Sequence, residues 1–371
     1  MPSLRAFGNA VAESKRNPWT PSRAKKAEKP MTSGSPGLRA APAAAFAMQP
    51  GLPAALFGEE GLAALATRLD LVSADPVEDL AALGRAALAR IEVLVTGWGA
   101  PAIGAAELAS MPRLRAVFHA AGTVKGHLDP AVWERGVRVT TAARANAYPV
   151  AEYTLGMILL EGKGVLRIAE DYRTEPLEHP LADYPDIGNY RRTVGIVSAS
   201  AVGRRVIQLL APFDLRVLLY DPLLSDDDPI LALAERVELA ELLRGSSIVS
   251  VHAPLLPETR GLIGAAELAL MPDGATLINT ARAPIVDEAA LAAELAARRL
   301  RAVLDVTEPE PLPLDHPLRS APGVLLTPHV AGALGNELRR LGASVLDEVE
   351  RFVRGEPAGF PVRQQDLRAM A

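Results

Sequence analysis

Three segments in the second half of the chain each hold one residue able to grip an anion or move a proton. Arg282 follows Leu277-Ile278-Asn279-Thr280-Ala281, Glu310 closes Asp305-Val306-Thr307-Glu308-Pro309-Glu310, and His329 ends Leu326-Thr327-Pro328-His329. Each sits just past a short apolar run that reads as a buried strand. Alone, each is an ordinary salt-bridge or cap residue. Together they suit one chemistry, the transfer of a hydride to a 2-keto acid. A fixed guanidinium binds the carboxylate and polarises the carbonyl with its fork of donors. A protonated imidazole gives its proton to the forming alkoxide. A carboxylate against that imidazole favours the charged form and fixes the ring.

Such chemistry needs a hydride carrier, and the segment Gly195-Ile196-Val197-Ser198-Ala199-Ser200-Ala201-Val202-Gly203 is placed to hold one. It follows a strand, opens a helix, and precedes Asp221 at the tip of the next strand, the layout of a dinucleotide turn. Ser198 and Ser200 occupy two slots where glycine is usual, so the turn alone fits a dinucleotide site and an ordinary βαβ unit equally. A serine forced to positive φ costs about 1–2 kcal/mol. The Ser200 hydroxyl could offset part of that by donating to a phosphate at the helix N-terminus. Asp221 would take ribose hydroxyls and repel a 2′-phosphate, and Pro222-Leu223 supply no arginine, which favours NADH over NADPH.

The elements that must position these residues read as a parallel α/β chain. Ile91–Val95, Leu114–Phe118 and Val137–Thr140 are strand-like and end in small, polar loops that suit the rim of a cleft. A long helix is expected from Pro149 to about Asp171. Six further strands, from Thr193–Val197 to Val324–Thr327, alternate with helical stretches, and an amphipathic helix spans roughly Gly335–Arg354. The plan is two doubly wound domains, a Rossmann-type NAD domain inserted into a flavodoxin-like substrate domain. The expected boundaries are a disordered tail over 1–45, the substrate domain over 46–146 and 331–371, and the dinucleotide domain over 147–330. The two long helices would act as hinges for cleft closure.

Composition narrows the partners. The 371 residues carry a net charge of −5 and no cysteine, which excludes disulfides, thiolate metal sites and a cysteine nucleophile. The first thirty residues are basic (Arg5, Lys15, Arg16, Arg23, Lys25, Lys26 and Lys29 against Glu13 and Glu28), so the rest is more acidic still. Neither nucleic acid nor a membrane is an expected partner: no apolar run approaches the ~20 residues of a span. The basic start lacks an apolar stretch of signal type and reads as a solvated tail on a cytoplasmic protein. His119, His127, His179, His252 and His316 show no metal-ligand spacing and are expected in packing or surface roles, so no metal is expected. Trp98 suits either the wall of the substrate pocket or the cap of a core, while Lys125 and Arg144 read as surface cations.

From Ile91 to about Glu337 the chain resembles the D-isomer-specific 2-hydroxyacid dehydrogenase family. The three active segments carry the likeness, with Val251-His252-Ala253-Pro254 continuing to Ile263 and Asn146 through Glu152. The resemblance implies that Arg282 binds substrate, Glu310 is the relay acid and His329 is the acid/base. It implies that Asp305 meets the nicotinamide end and Asp221 the adenosine ribose. Ser200, Ala201, Val202, Gly203, Thr280 and Ala281 would lie along the dinucleotide. Backbone N–H groups at Gly122 and Thr123 would hold the substrate carboxylate, with Asn146 nearby. A homodimer is implied on the same ground. Ala283 and Thr307 depart from the family pattern, as do the two serines. Glu310 speaks against a formate dehydrogenase, whose relatives carry glutamine there. The rival is a dinucleotide-sensing, corepressor-like binding protein on the same fold, which would have no need of the Arg, Glu and His together.

Overall fold

A computed structural model describes residues 40–173, 176 and 179–368. The tail expected over 1–45 lies outside the described residues up to residue 39, and its last part needs correction. Ala43–Ala47 form a fully buried strand, β1. The sequence Ala-Ala-Ala-Phe-Ala carries little β propensity. It is a strand because both faces are covered: Ala44 and Phe46 pack into one apolar cluster, Ala45 and Ala47 into another. Side chains of alternate residues point to opposite faces, and alanines let covering layers come close.

The other strands of the first sheet are β2 (Asp70–Leu71), β3 (Val93–Thr96), β4 (Ala116–His119) and β5 (Arg138–Thr141). The second sheet holds β6 (Thr193–Val197), β7 (Arg216–Tyr220), β8 (Glu235–Arg236), β9 (Ile248–Val251), β10 (Thr276–Asn279), β11 (Arg301–Leu304) and β12 (Val324–Leu326). The strand orders are β2-β1-β3-β4-β5 and β12-β11-β10-β9-β6-β7-β8. The first is the flavodoxin order and the second the Rossmann order with one strand added, so both sheets are doubly wound. The sequence pattern passes over β2 and β8, which have two residues each and lie at sheet edges.

Register is what aligns the chemistry. Val197 pairs with Val251, Val251 with Asn279, Asn279 with Leu304, and Leu304 with Leu326. The next residue of each strand, from Ser198 through His252, Thr280 and Asp305 to Thr327, therefore stands at one level. In the first sheet Thr96, His119 and Thr141 are level in the same way.

The long helix expected from Pro149 begins earlier, at Ala143, and runs to Gly162 with Pro149 inside it. Gly164, at φ 64°, then separates it from a second helix, Val165–Asp171. The early start follows from β5: the Ala142 amide donates to the carbonyls of His119 and Ala121, which turns the chain directly out of the strand. Ala145 of this helix packs into the core of the first sheet, and Ala151 and Ile158 into that of the second. The helix Leu338–Val353 returns to the first sheet, with Leu341, Val345, Val349 and Phe352 in the cluster that holds Phe46.

Candidate active site

The carboxyl ends of both sheets face a shared cavity of about 650 Å³, within the size range of small-molecule sites. From the first sheet it is lined by Gly97–Ala100 after β3, by His119 and Ala121–Thr123 at the end of β4, and by Asn146. From the second come Ser200–Val202, His252–Pro254, Thr280–Arg282, Asp305 and His329. Ligands collect at this edge of open parallel sheets because the strand ends leave room between divergent loops.

Arg282 reaches the cavity from a turn pinned by Asn279. Asn279 Oδ1 accepts the Ala281 N–H at 3.0 Å, and its Nδ2 donates to the Arg282 carbonyl at 3.0 Å. The guanidinium donates one hydrogen bond to the Ala281 carbonyl at 2.6 Å. Burial pushes Arg282 below its ordinary value, and the Glu310 carboxylate opposes that shift.

His329 and Glu310 meet, with Nδ1 2.8 Å from Oε1. This contact directs Nδ1 to the carboxylate and leaves Nε2 as the ring nitrogen for a reacting group. His329 lies at φ 56°, in the left-handed region, so something must hold it there. Its N–H donates to the Asp305 carbonyl at 2.8 Å and the Thr327 carbonyl at 3.0 Å. The Asp305 carboxylate accepts from Thr327 Oγ1 at 2.6 Å, the Val330 amide at 2.8 Å and the Ala331 amide at 2.9 Å. Tyr153 extends this chain through its hydroxyl, 2.8 Å from Thr327 Oγ1. Asp305 lines the cavity as expected of a residue near the nicotinamide, yet it is 1% exposed and its carboxylate is engaged in shaping the His329 loop.

The dinucleotide turn separates the two serines. Ser198 has φ 82°, and its hydroxyl donates to Asp221 at 3.2 Å. Ser200 has an ordinary φ of −61° and caps the helix Ala201–Leu210 by accepting from the Gly203 N–H at 3.3 Å. The strain expected of both substitutions therefore falls on Ser198 alone. The Ser200 oxygen accepts from its own helix, which leaves its O–H proton to donate. A Cβ on Gly203 would fall 2.0 Å from the Ser198 carbonyl oxygen, so only glycine permits this turn to close on its helix. Asp221 also accepts the Ala199 N–H at 2.8 Å and the Leu223 N–H at 2.9 Å, so it buttresses the turn. Arg204 comes near Asp221 from the helix but is held by Asp228 through two bonds of 2.7 and 2.6 Å. These residues fit a dinucleotide: the first helical turn opens on the cavity at Ser200–Val202, and Thr280, Ala281 and Asp305 continue that wall toward Arg282.

On the opposite wall stand Gly122 and Thr123. Asn146 lies beside them, and its Oδ1 accepts the Ala333 N–H at 2.8 Å, tying the long helix to the segment after His329. Two histidines set aside in the sequence complete this wall. His119 Nδ1 is 2.9 Å from Thr96 Oγ1, and its ring lies 4.7 Å from that of His127. Burial, with a smaller push from His127, lowers His119 to about 3, while a hydrogen bond to the Thr123 backbone opposes the shift. Burial also lowers His127. Across the cavity His252, 2.9 Å from Ser250 Oγ, is lowered by burial to about 3. The available signal was position: His119 ends β4 and His252 directly follows β9. Lys125 is lowered by burial and by the charge of Arg282, which places it within electrostatic reach of the site. Arg144 instead stacks over Phe360 at 4.6 Å. Among the described residues no group of three His, Asp or Glu could hold a metal.

Comparison with known proteins agrees with this geometry. Residues 155–331 match the model of the D-isomer specific 2-hydroxyacid dehydrogenase NAD binding domain. A glyoxylate reductase of Thermofilum pendens is 34% identical over 249 residues, covering 65% of this chain and 73% of the relative. An (S)-sulfolactate dehydrogenase of Chromohalobacter salexigens is 37% identical over 248 residues, covering 66% and 79%. The chain belongs to the D-isomer-specific 2-hydroxyacid dehydrogenase family. A crystal structure of a phosphoglycerate oxidoreductase from Rhizobium etli superimposes with a TM-score of 0.74 at 27% identity, covering 87% of this chain and 99% of the other. Within this family the protein is an NAD-dependent dehydrogenase. The relatives are named reductases and dehydrogenases, which supports an enzyme over a corepressor-like sensor. No described helix is long and apolar enough to cross a membrane.

Proposed function

We propose that the protein reduces a small 2-keto acid to the D-2-hydroxy acid, with Arg282, Glu310 and His329 as its catalytic residues. The observation that carries this reading is the 2.8 Å His329–Glu310 contact on the cavity that Arg282 also lines. Arg282 binds the carboxylate and polarises the keto oxygen. Gly122 and Thr123 offer backbone donors to the same carboxylate, and Asn146 holds the wall beside them. NADH supplies the hydride when bound, along Ser200–Gly203, Thr280, Ala281 and Asp305, with Asp221 toward the adenosine ribose. The charged His329 then passes its Nε2 proton to the new alkoxide, and Glu310 stabilises the imidazolium beforehand.

NADH is the preferred carrier, because a 2′-phosphate near Asp221 would meet a carboxylate while Arg204 is held by Asp228. We assign the substrate domain to 46–146 and 331–371, extended to include β1, and the dinucleotide domain to 147–330. The working form is a cytoplasmic homodimer, and the exposed apolar side chains Leu160, Val165, Tyr172 and Tyr190 suit a protein interface. The test is NADH oxidation with glyoxylate, hydroxypyruvate and pyruvate. His329→Ala should lower kcat about 100-fold or more, and Arg282→Ala should chiefly raise KM. Unchanged turnover in His329→Ala removes this proton donor.

A further inference from the structure

We infer that the 2-keto acid taken by this site bears a single charge, its carboxylate, and a bulky apolar substituent seated against Trp98; this rests on the keto-acid reading above. Trp98 lies in the loop after β3 and lines the cavity, yet it remains 41% exposed. The loop holds it in place. The Trp98 carbonyl accepts the Gln49 N–H at 2.8 Å, and the Ala100 N–H closes the turn on Gly97 at 3.1 Å. Gly99, at φ 76°, supplies the left-handed step of this turn. Leu334, from the segment after His329, lines the same cavity and is 52% exposed. Two large, partly exposed apolar side chains lining one cavity are surface that an apolar ligand would cover.

Charge points the same way. Arg282 is the one Lys or Arg among the described residues lining the cavity, and the substrate carboxylate occupies it. His119, His127 and His252 are held neutral by burial. A phosphate, sulfonate or second carboxylate would shed water there with no second Lys or Arg in the cavity wall to replace it. Lys125 follows Thr123 by two residues, but it is exposed and its side chain is not part of the cavity wall.

The test compares kcat/KM with NADH for phenylpyruvate, 4-methyl-2-oxopentanoate, glyoxylate, 3-sulfopyruvate and 3-phosphooxypyruvate. The apolar acids should exceed glyoxylate and both multiply charged acids by on the order of 10–100-fold, the range for burying such a side chain. Trp98→Ala should cut the advantage of phenylpyruvate over glyoxylate at least about 10-fold, chiefly through KM, with NADH affinity by calorimetry reporting an intact fold. Lys125→Ala should leave the substrate order as it is. A preference for the sulfonated or phosphorylated acid, lost in Lys125→Ala, overturns this inference alone. So does an unchanged phenylpyruvate advantage in Trp98→Ala. No turnover with any acid while NADH binds overturns the keto-acid reading and this inference with it.

Discussion

His119 and His252 stand neutral in the cavity walls, and lowering the pH should destabilise the fold through them. Both are lowered by burial to about 3, against about 6.5 for an imidazole in the unfolded chain. Between those values the unfolded chain binds protons that the folded protein refuses. Stability is therefore full above about pH 6.5 and falls steadily as pH drops toward 3. From pH 7 to pH 5 each residue should contribute a loss of about 2 kcal/mol, so about 4 kcal/mol together. That is a large share of the roughly 5–15 kcal/mol that holds a domain folded. Urea unfolding followed by circular dichroism at the two pH values measures the loss. His119→Asn can keep an amide near Thr96, and His252→Gln can keep one near Ser250. Each variant carries its own packing cost, but that cost is common to both pH values and cancels. Each should lose about 2 kcal/mol less than the parent between pH 7 and pH 5. Carboxylates titrate alike in parent and variants and drop out as well. If the variants lose as much as the parent, these imidazoles are already charged or reach water, and the neutral-wall reasoning fails.

Three further outcomes follow from the site. Gly203→Ala would drive a Cβ to 2.0 Å from the Ser198 carbonyl; it should destabilise the protein by about 1–3 kcal/mol and weaken NADH binding at least about 10-fold, by thermal melting and calorimetry. Asp305→Asn turns an acceptor into a donor facing Thr327, Val330 or Ala331; roughly 2–3 kcal/mol of stability should go, and kcat should fall as His329 leaves its left-handed geometry. A stable, fully active variant would contradict the anchoring role. Glu310→Gln should lower kcat by about 10–100-fold with little change in KM, measured in steady state against the preferred keto acid. Loss confined to KM would assign Glu310 to substrate binding instead.

Much of this was legible from residue order. Parallel α/β architecture follows from short apolar runs alternating with helical stretches, and Arg282, Glu310 and His329, each just past such a run, together suggest their chemistry. Gly203 and Asp221 likewise mark by spacing a βαβ turn that suits a dinucleotide site or an ordinary βαβ unit. These signals are local, because each depends on neighbours within one strand-loop-helix unit. What stayed hidden depends on partners far along the chain. β1 is a strand only because two apolar layers cover five residues of weak intrinsic preference, and Ala143–Gly162 starts early because Ala142 is tied to β4. Ser198 and Ser200 look alike in sequence, yet only one has positive φ, since helix capping and the Asp221 contact are set in three dimensions. Asp305 reads as a cofactor contact, and its carboxylate shapes the His329 loop because it meets Thr327, Val330 and Ala331 there. Composition and local pattern determined the fold class and the kinds of chemistry on offer. Which donors meet which acceptors, and which imidazoles lose their water, was decided only by packing, because hydrogen bonding and desolvation act through distance in space and not along the chain.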